Sequence, residues 1–220
     1  MIAGALLLAA APAAEREVQV ASFSRLRVEA PVIVTVTPGS PRARVAGDPR
    51  AAERLLVRSE GGTLVVRMPA GGPPPAEPLR VTLSAPNLLA LDASGGARVT
   101  ATGLKGDRLA LVLAGAGSLD ATAVDAQALS LVVAGNGTAR VAGRAGEARL
   151  TLAGAGALDA DALTAGDLSL ASEGAGEVRA RARYTARLSN RGAGQVTVAG
   201  SPKCLIQPGS TGPIRCGPAR

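Results

Sequence analysis

Leu111-Val-Leu-Ala-Gly-Ala-Gly-Ser-Leu119 is one of six segments of the chain that align without gaps around a pair of glycines. Each segment begins with leucine, and apolar residues alternate with small or polar residues on both sides of the glycines. The other five segments are Leu91–Val99, Leu131–Ala139, Leu150–Leu158, Leu170–Val178 and Leu188–Val196. A period of two is the period of a β-strand, so each repeat predicts two short strands around a glycine corner, with room for a third.

The first glycines of the six segments follow one another at steps of 20, 20, 19, 20 and 18 residues. A repeat of this length is typical of stacked structural units. We therefore predict an all-β fold, a single-stranded parallel β-helix or β-solenoid with turns of about 20 residues. Glycine suits the corners because it adopts positive φ without a steric penalty. The predicted turn glycines are Gly95, Gly115, Gly117, Gly135, Gly137, Gly154, Gly156, Gly174, Gly176, Gly192 and Gly194.

The residue that directly follows each aligned segment is predicted to point outward, and these residues form a column in which the charges alternate in sign. Its charged members are Asp120, Arg140, Asp159 and Arg179. Equivalent residues of neighbouring turns lie about 4.8 Å apart, so each Asp is expected beside an Arg. An exposed ion pair contributes only about 0–1 kcal/mol. We therefore expect this charge ladder to act mainly on register, since a slip of one turn would bring like charges together.

The two cysteines, Cys204 and Cys216, belong to the last turn of the predicted stack. In the register of the repeat both fall on inward positions, one before the corner and one after it. We predict a Cys204–Cys216 disulfide that closes this turn, with free thiols as the alternative. Such a bridge is worth about 3 kcal/mol in the chain-entropy model, and it fits an oxidising compartment.

The chain is predicted to be one domain behind an export signal. Residues 1–14 are apolar and end in small residues, with Ala11-Pro12-Ala13 as the cleavage site, which is typical of a secretory signal peptide; a buried helix or strand is the alternative. Residues 15–86 are expected to form irregular first turns or a cap, residues 87–200 the regular turns, and residues 201–220 the disulfide-closed terminal turn. No later stretch has the roughly 20 apolar residues that a membrane-spanning helix needs.

Two glycines, Gly61 and Gly62, lie inside the irregular region and separate the apolar runs 55–57 and 64–66. A glycine pair between two alternating runs is a strong signal for a two-residue turn. We therefore expect an antiparallel hairpin at this point. The glycine- and proline-rich residues 71–75 are expected to form a loop, because proline cannot donate a backbone hydrogen bond to a sheet.

The segments Phe23–Val28 and Pro31–Val36, followed by the Gly-x-Gly turns, resemble the putative auto-transporter adhesin head GIN domain family, a bacterial domain of unknown function. The resemblance runs from about residue 17 to the C-terminus. It implies an exported β-solenoid of the bacterial envelope, in the periplasm or at the cell surface. The family's usual Ser-Gly-Ser-Gly-Asp turn is mostly Ala-Gly-Ala-Gly here, with serine kept only at Ser94. The resemblance assigns no binding residue.

Several kinds of chemistry are excluded or disfavoured by composition. The chain has no histidine, which excludes Ser-His-Asp and Cys-His catalysis and His-ligated metals. Gly115–Asp120 superficially resembles a calcium-binding nonapeptide, but the period is about 20 residues and the Asp is replaced by Arg in alternate turns. We expect no cofactor, no metal and no enzymatic activity. Carboxylate pairs for a sugar-cleaving enzyme remain an alternative, with Asp92, Asp120, Asp125, Asp159, Asp161 and Asp167 as candidates.

The formal net charge of +7 is carried almost wholly by arginine. Nucleic acid is disfavoured because no five like charges are consecutive and one Phe and one Tyr offer little surface for base stacking. The function predicted is a non-catalytic binding or structural module of the envelope, with an anionic polysaccharide or a protein as partner. The alternatives are a self-assembling scaffold, suggested by the outward Val112 and Val132 beside Ala110, and a polysaccharide-acting enzyme.

Overall fold

The computed structural model describes residues 14–72 and 77–217. These residues form an all-β solenoid of about six turns spaced by about 20 residues, with 68% strand and 3% helix, which confirms the predicted fold class. Residues 1–13 of the proposed signal peptide, residues 73–75 of the predicted loop and residues 218–220 of the terminal turn lie outside the described residues.

The elements follow in chain order, and the later strands are long because their pairing continues around the corners. Helix α1 spans Pro49–Arg54. The strands are β1 (Ala14–Val18), β2 (Arg25–Glu29), β3 (Ile33–Pro38), β4 (Arg42–Gly47), β5 (Leu56–Glu60), β6 (Thr63–Arg67), β7 (Arg80–Ala85), β8 (Ala90–Ser94), β9 (Arg98–Thr102), β10 (Lys105–Gly115), β11 (Ser118–Gly135), β12 (Thr138–Ala153), β13 (Ala157–Glu173), β14 (Glu177–Asn190), β15 (Val196–Gly200), β16 (Lys203–Ile206) and β17 (Ile214–Cys216).

Each regular turn has three sides, as the turn of residues 109–126 illustrates. Side A is 109–113, side B is 118–121 and side C is 124–126, the third strand for which the repeat leaves room. Alternate residues of each side point inward and are buried. The inward residues of this turn are Leu109, Leu111, Leu113, Leu119, Ala121, Val124 and Ala126. Small aliphatic side chains fill the narrow interior between the three sides.

The leucine column runs through the stack on side A. The Cα pairings of successive turns join Leu111 to Leu131 and Leu131 to Leu150, in the register that the sequence repeat predicts. The full column, from one end of the stack to the other, is Leu64, Leu26, Leu91, Leu111, Leu131, Leu150, Leu170, Leu188 and Ile206. Every leucine in it is at most 2% exposed.

The first turns do not stack in the order of the chain. Strands β2 and β3 lie between the turn of β6 and β7 on one side and the turn of β8 and β9 on the other. Three antiparallel pairings complete this end of the stack: β5 pairs with β6, β4 pairs with β7, and β1 pairs with β4. The region therefore contains both an irregular turn and a cap, and the hairpin expected at Gly61-Gly62 joins β5 to β6.

Helix α1 closes this N-terminal end. It begins after Asp48, whose carboxylate accepts a hydrogen bond of 2.9 Å from the backbone N–H of Ala51, and proline stands at its first position. A short polar side chain at this position satisfies an N–H that has no partner within the helix. Ala51 and Ala52 are buried against the cap, so the helix covers the end of the core.

The glycines of the corners are required for two physical reasons. Gly135 has φ of +108°, and a Cβ on it would lie 2.8 Å from the carbonyl oxygen of Gly115. Gly156 does not have positive φ, but a Cβ on it would lie 2.3 Å from the carbonyl oxygen of Gly137. Positive φ therefore explains only the first glycine of the corners at 95, 115, 135, 154 and 174. Close stacking of one corner on the next excludes a side chain at the second glycine and also at first glycines such as Gly154, where a Cβ would lie 2.4 Å from the carbonyl oxygen of Gly135.

The C-terminal end is closed by different means. Cys204 and Cys216 form a disulfide that joins β16 on side A to β17 on side B. One turn below, Asn190 is fully buried and donates to the carbonyl oxygens of Gly194 at 2.7 Å and Pro213 at 3.1 Å. These bonds tie the last regular corner to the terminal turn, so polar groups that would otherwise be buried without partners are satisfied.

Candidate functional site: the groove along side C

A groove of about 1450 Å³ follows side C along the stack. It is lined by short stretches from six successive levels, which recur about every 20 residues because the same position of each turn contributes them. Its polar lining residues are Asn87, Asp107, Arg108, Asp125, Gln127, Arg144, Glu147, Thr164, Asp167, Arg183 and Tyr184. The groove therefore offers hydrogen-bonding groups at intervals of about 4.8 Å, the spacing of parallel strands.

Arg144 and Asp125 form a two-point ion pair across neighbouring turns of the groove. Nε of Arg144 donates to Oδ1 of Asp125 at 2.8 Å and Nη2 donates to Oδ2 at 2.7 Å. The hydrogen bonds from Arg144 hold the pKa of the Asp125 carboxyl below its ordinary value, with a smaller contribution from the positive charge of Lys105. A planar guanidinium held in this way presents a fixed edge to solvent. Nearby, Gln127 donates to Asp107 at 3.2 Å.

Tyr184 lies at one end of the groove and is 62% exposed. The guanidinium carbon of Arg183 lies 5.3 Å from the centroid of its ring, within the range of a cation–π contact. Gly166 keeps the floor of the groove low beside this ring, since a Cβ there would lie 2.5 Å from the carbonyl oxygen of Gly146. The chain thus places its single tyrosine in the groove, where an aromatic face is open to a ligand.

The six candidate carboxylates do not converge on one catalytic site. Asp125 and Asp167 line the groove on side C. Asp92 belongs to side A and lies 3.9 Å from Arg27, and Asp161 pairs with Arg181 at 3.1 Å. The remaining two, Asp120 and Asp159, point outward on side B. Glu147 and Asp167, both in the groove, are paired in register on adjacent turns, and Thr185 donates to Asp167.

The charge ladder has the predicted register on side B. Asp120 pairs with Arg140, Arg140 with Asp159, and Asp159 with Arg179 in the Cα register of β11 to β14. Within residues 14–72 and 77–217, however, no ion pair joins two of these four side chains. Arg179 instead donates to Glu177 of its own strand at 2.9 Å, which is the main reason that the pKa of Arg179 is raised. The effect of the ladder on register stays a prediction.

The groove carries a nearly balanced charge although the chain as a whole is basic. Four carboxylates, Asp107, Asp125, Glu147 and Asp167, face three guanidiniums, Arg108, Arg144 and Arg183. In the described part of the chain no group of three or more potential metal ligands converges. Such a surface suits a ligand that forms many hydrogen bonds better than one held by charge alone.

Sequence reasoning did not identify the groove, because attention to the glycine corners leaves side C between two repeats. A signal was present in the aligned positions Asp107, Gln127, Gly146 and Gly166, which recur at steps of 20, 19 and 20 residues. Asn190 was also missed. It interrupts an apolar inward column that includes Leu152, and a polar residue at such a position indicates a buried hydrogen-bonding role.

The sequence from residue 22 to residue 202 matches the family described as "Putative auto-transporter adhesin, head GIN domain". The chain belongs to this family. No functionally curated protein matches the chain. The head GIN domain assignment agrees with the resemblance carried by the Phe23–Val28 and Pro31–Val36 segments, and an adhesin family suggests a location in the extracellular space or the cell envelope.

Solved structures share the fold of this head GIN domain. A putative adhesin from Bacteroides fragilis NCTC 9343 superposes with a TM-score of 0.85 at 19% identity, covering 94% of this chain and 96% of its own. A protein from Parabacteroides distasonis ATCC 8503 described as a putative lipid binding protein superposes with a TM-score of 0.69 at 16% identity, covering 95% and 97%. At these identities the likeness shows the fold alone.

No helix among the described residues has both the length and the apolar character needed to cross a bilayer. The groove, the buried Asn190 and the charged outer sides are described from the residues of this chain itself.

Proposed function

We propose that this chain is a non-catalytic, adhesin-like module that binds a component of the bacterial envelope through the groove along side C. The observation that supports it is the groove itself, which runs the length of several turns and carries hydrogen-bonding side chains beside the exposed ring of Tyr184. An extended polymer lying along the stack would meet equivalent positions on each turn. A polysaccharide is the envelope polymer best matched to this repeated array, with a protein as the alternative partner.

Export to the periplasm or cell surface is part of the proposal. Residues 1–14 would act as a signal peptide and be removed, leaving the domain of residues 15–220 with its irregular first turns (15–86), regular turns (87–200) and terminal turn (201–220). The Cys204–Cys216 disulfide supports an oxidising compartment, because cytosolic thiols are kept reduced. Cell fractionation with an antibody tests the location, and a cytoplasmic pool of the full-length chain would contradict it.

The binding test uses the chain from Ala14 to Arg220, which contains every described element, in a pull-down on isolated envelope fractions at several salt concentrations. We expect Tyr184→Ala and Gln127→Ala each to reduce retention, because each removes one contact of about 1 kcal/mol or more. The two losses should multiply to at least about tenfold when the substitutions are combined. Thr100→Ala on side B is the matched control and should retain full binding. Equal retention of all three variants would contradict the groove as the binding site.

The salt series separates the contribution of charge from that of hydrogen bonding. Contacts between exposed charges weaken as the screening length falls from about 10 Å at 0.1 M salt to about 3 Å at 1 M salt. Retention that persists in high salt and is lost in the groove variants supports the proposal. Retention that disappears in salt and ignores the groove variants would assign binding to the arginine-rich outer surface.

Catalysis on a polysaccharide is the alternative that one observation favours. Glu147 and Asp167 lie side by side in the groove, and two carboxylates are the usual machinery of sugar cleavage. Incubation with envelope polysaccharides and measurement of new reducing ends tests it. Product release that is abolished by Glu147→Gln and by Asp167→Asn would replace binding by catalysis as the function.

Self-association is the remaining alternative for the partner. Val112 and Val132 are half-buried and point outward on side A in register with each other, beside the exposed Ala110. Light scattering over a range of concentrations tests whether this strip joins two copies. A strict monomer at high concentration would remove the idea, and a dimer lost in Val132→Lys would support it.

A further inference from the structure

The net charge of the chain lies in one end of the solenoid. Residues 178–220 contain eight of the 24 basic residues and none of the 17 acidic residues. The rest of the chain therefore has sixteen basic and seventeen acidic residues and is almost neutral. The formal charge of +7 thus describes the last turns of the stack rather than the protein as a whole.

Part of this charge is neutralised by carboxylates of the same strand or of the turn below, and part of it is not. Arg179, Arg181 and Arg191 pair with Glu177, Asp161 and Glu173 at 2.9–3.1 Å. Within the described residues, by contrast, no carboxylate lies within 4.0 Å of Arg187, Lys203 or Arg215. These three side chains belong to the final turn and the terminal turn, so their charge faces solvent at the end of the stack.

The same end exposes large apolar side chains. Ile206 is 59% exposed and Leu205 is 36% exposed, and Tyr184 on side C is the only other large hydrophobic residue exposed in the part of the chain that the structure describes. Ile206 occupies the leucine column, where it covers Leu188 but has no turn above it. Leu205 lies in register with Arg187 on side A, and Lys203 begins the same strand. Apolar and cationic side chains therefore occur together at this end of the stack, on sides A and B. This end is called here the basic tip and is defined as Arg187, Lys203, Leu205, Ile206 and Arg215.

We propose that the basic tip docks the solenoid end-on onto an anionic phospholipid surface. The charge complementarity is direct, because each Lys or Arg near an anionic bilayer surface strengthens binding about fivefold. The exposed Leu205 and Ile206 are the second half of the argument, since apolar side chains gain free energy by entering the boundary between headgroups and acyl chains. A soluble anionic polysaccharide would satisfy the charges but would offer no apolar medium to these two side chains.

This docking goes beyond the proposed function of the groove and uses different residues. The groove faces sideways along side C, whereas the basic tip lies at the end of the stack. A solenoid standing on its tip would keep the groove open to a polymer parallel to its axis. Binding in the groove and docking at the tip can therefore be tested separately on the same chain.

The test is sedimentation of the chain from Ala14 to Arg220 with vesicles of phosphatidylcholine alone or of phosphatidylcholine and phosphatidylglycerol in equal parts. We expect binding to the anionic vesicles only. The double variant Arg187→Gln/Lys203→Gln should weaken it about 25-fold, from about fivefold per charge. The matched control is Arg50→Gln/Arg58→Gln, which removes the same charge from exposed positions at the opposite end and should leave binding unchanged.

The apolar contribution is tested with Leu205→Ser/Ile206→Ser, which keeps all charges. We expect this variant to lose at least fivefold in vesicle binding while its binding to soluble dextran sulfate is unchanged. Both side chains are exposed, so a thermal melt should match that of the parent chain. Groove variants such as Gln127→Ala should bind vesicles normally.

Three outcomes would overturn the proposal. The first is absence of binding to the anionic vesicles at low salt. The second is an equal loss of binding from the control at the opposite end, which would indicate non-specific attraction. The third is full vesicle binding by Leu205→Ser/Ile206→Ser together with tight binding to dextran sulfate, which would identify a site for anionic polymers.

Discussion

The two ends of the solenoid terminate the same repeat in different ways. At the N-terminal end Leu64 of the leucine column is fully buried, because antiparallel strands and helix α1 cover the last turn. At the C-terminal end Ile206 of the same column is 59% exposed, and the turn is held by a disulfide and by Asn190. The N-terminal end is covered by packed side chains, whereas the C-terminal end is held by covalent and hydrogen bonds and its surface stays exposed to solvent. The difference leaves apolar side chains exposed at the C-terminal end, which is the end that the proposed docking uses.

The largest effect is expected from matched truncations of the leucine column. Leu64→Ala should lower the free energy of unfolding by about 2–5 kcal/mol, because it leaves a cavity in a packed core. Ile206→Ala should change it by less than about 0.5 kcal/mol, since the side chain is mostly in solvent. Urea unfolding of both variants measures the difference. Similar losses would mean that the C-terminal end is as well covered as the N-terminal end.

Removal of the disulfide should affect the C-terminal end alone. Cys204→Ala/Cys216→Ala is expected to lower stability by about 3 kcal/mol, because a closed loop between residues separated by 12 positions restricts the unfolded chain. Hydrogen exchange should become faster in β16 and β17 and stay unchanged in β4 to β7. The parent chain in reductant serves as the control. Unchanged exchange in the terminal turn would show that the bridge is not what fastens it.

Two buried polar residues in one column should respond in opposite directions. Asn190→Ala removes the donors to Gly194 and Pro213, and leaving these carbonyls unpaired is expected to cost about 1–3 kcal/mol. Ser172 is buried and its hydroxyl has no hydrogen-bond partner among the described residues, so Ser172→Ala should stabilise the fold by about 1 kcal/mol. Thermal unfolding of the two variants decides. A stabilised Asn190→Ala would mean that the end does not depend on this side chain.

The smallest effect is expected from the charge ladder on side B, which lies in the regular turns between the two ends. Arg140→Asp would place a carboxylate between Asp120 and Asp159, so that three stand in register, whereas Arg140→Ala only removes a charge. Because the positions are exposed, we expect each change to cost less than about 1 kcal/mol, with the reversal costing more. Unfolding at low and high salt measures it. An equal cost for both variants would show that the ladder has no role.

The regular turns were predictable from sequence because one physical rule repeats. Inward positions alternate with outward ones, so the recurrence of Leu111, Leu131 and Leu150 predicts both the strands and the register in which successive turns pair. The inward positions of Cys204 and Cys216 likewise follow from counting along the repeat. At the second glycines of the corners the carbonyl of the previous corner, rather than the sign of φ, excludes a side chain, and a repeat pattern read from sequence does not reveal that close approach.

The order of the first turns and the groove could not be predicted in the same way. Strand β2 has apolar residues at Leu26 and Val28 that suit any level of the stack, and alternation does not say which strand lies above it. Groove residues such as Asp125 and Tyr184 obey no apolar pattern, since solvent-facing positions are free to vary. These residues come together only because successive turns stack along side C, and a sequence pattern does not show that arrangement.

The insertion of β2 and β3 between later strands has a consequence for synthesis of the chain. Val34 pairs with Val81 on one side and with Val99 on the other, so both of its neighbours leave the ribosome after it. At about 5–20 residues per second, this early turn waits several seconds before either partner exists. The two contacts of this turn cannot both form until residues 80–102 have been made, so the turn is completed only after the strands on both sides of it exist. Removal of β2 and β3 would therefore take out an inner layer of the stack, whereas removal of β16 and β17 would take only the outermost one.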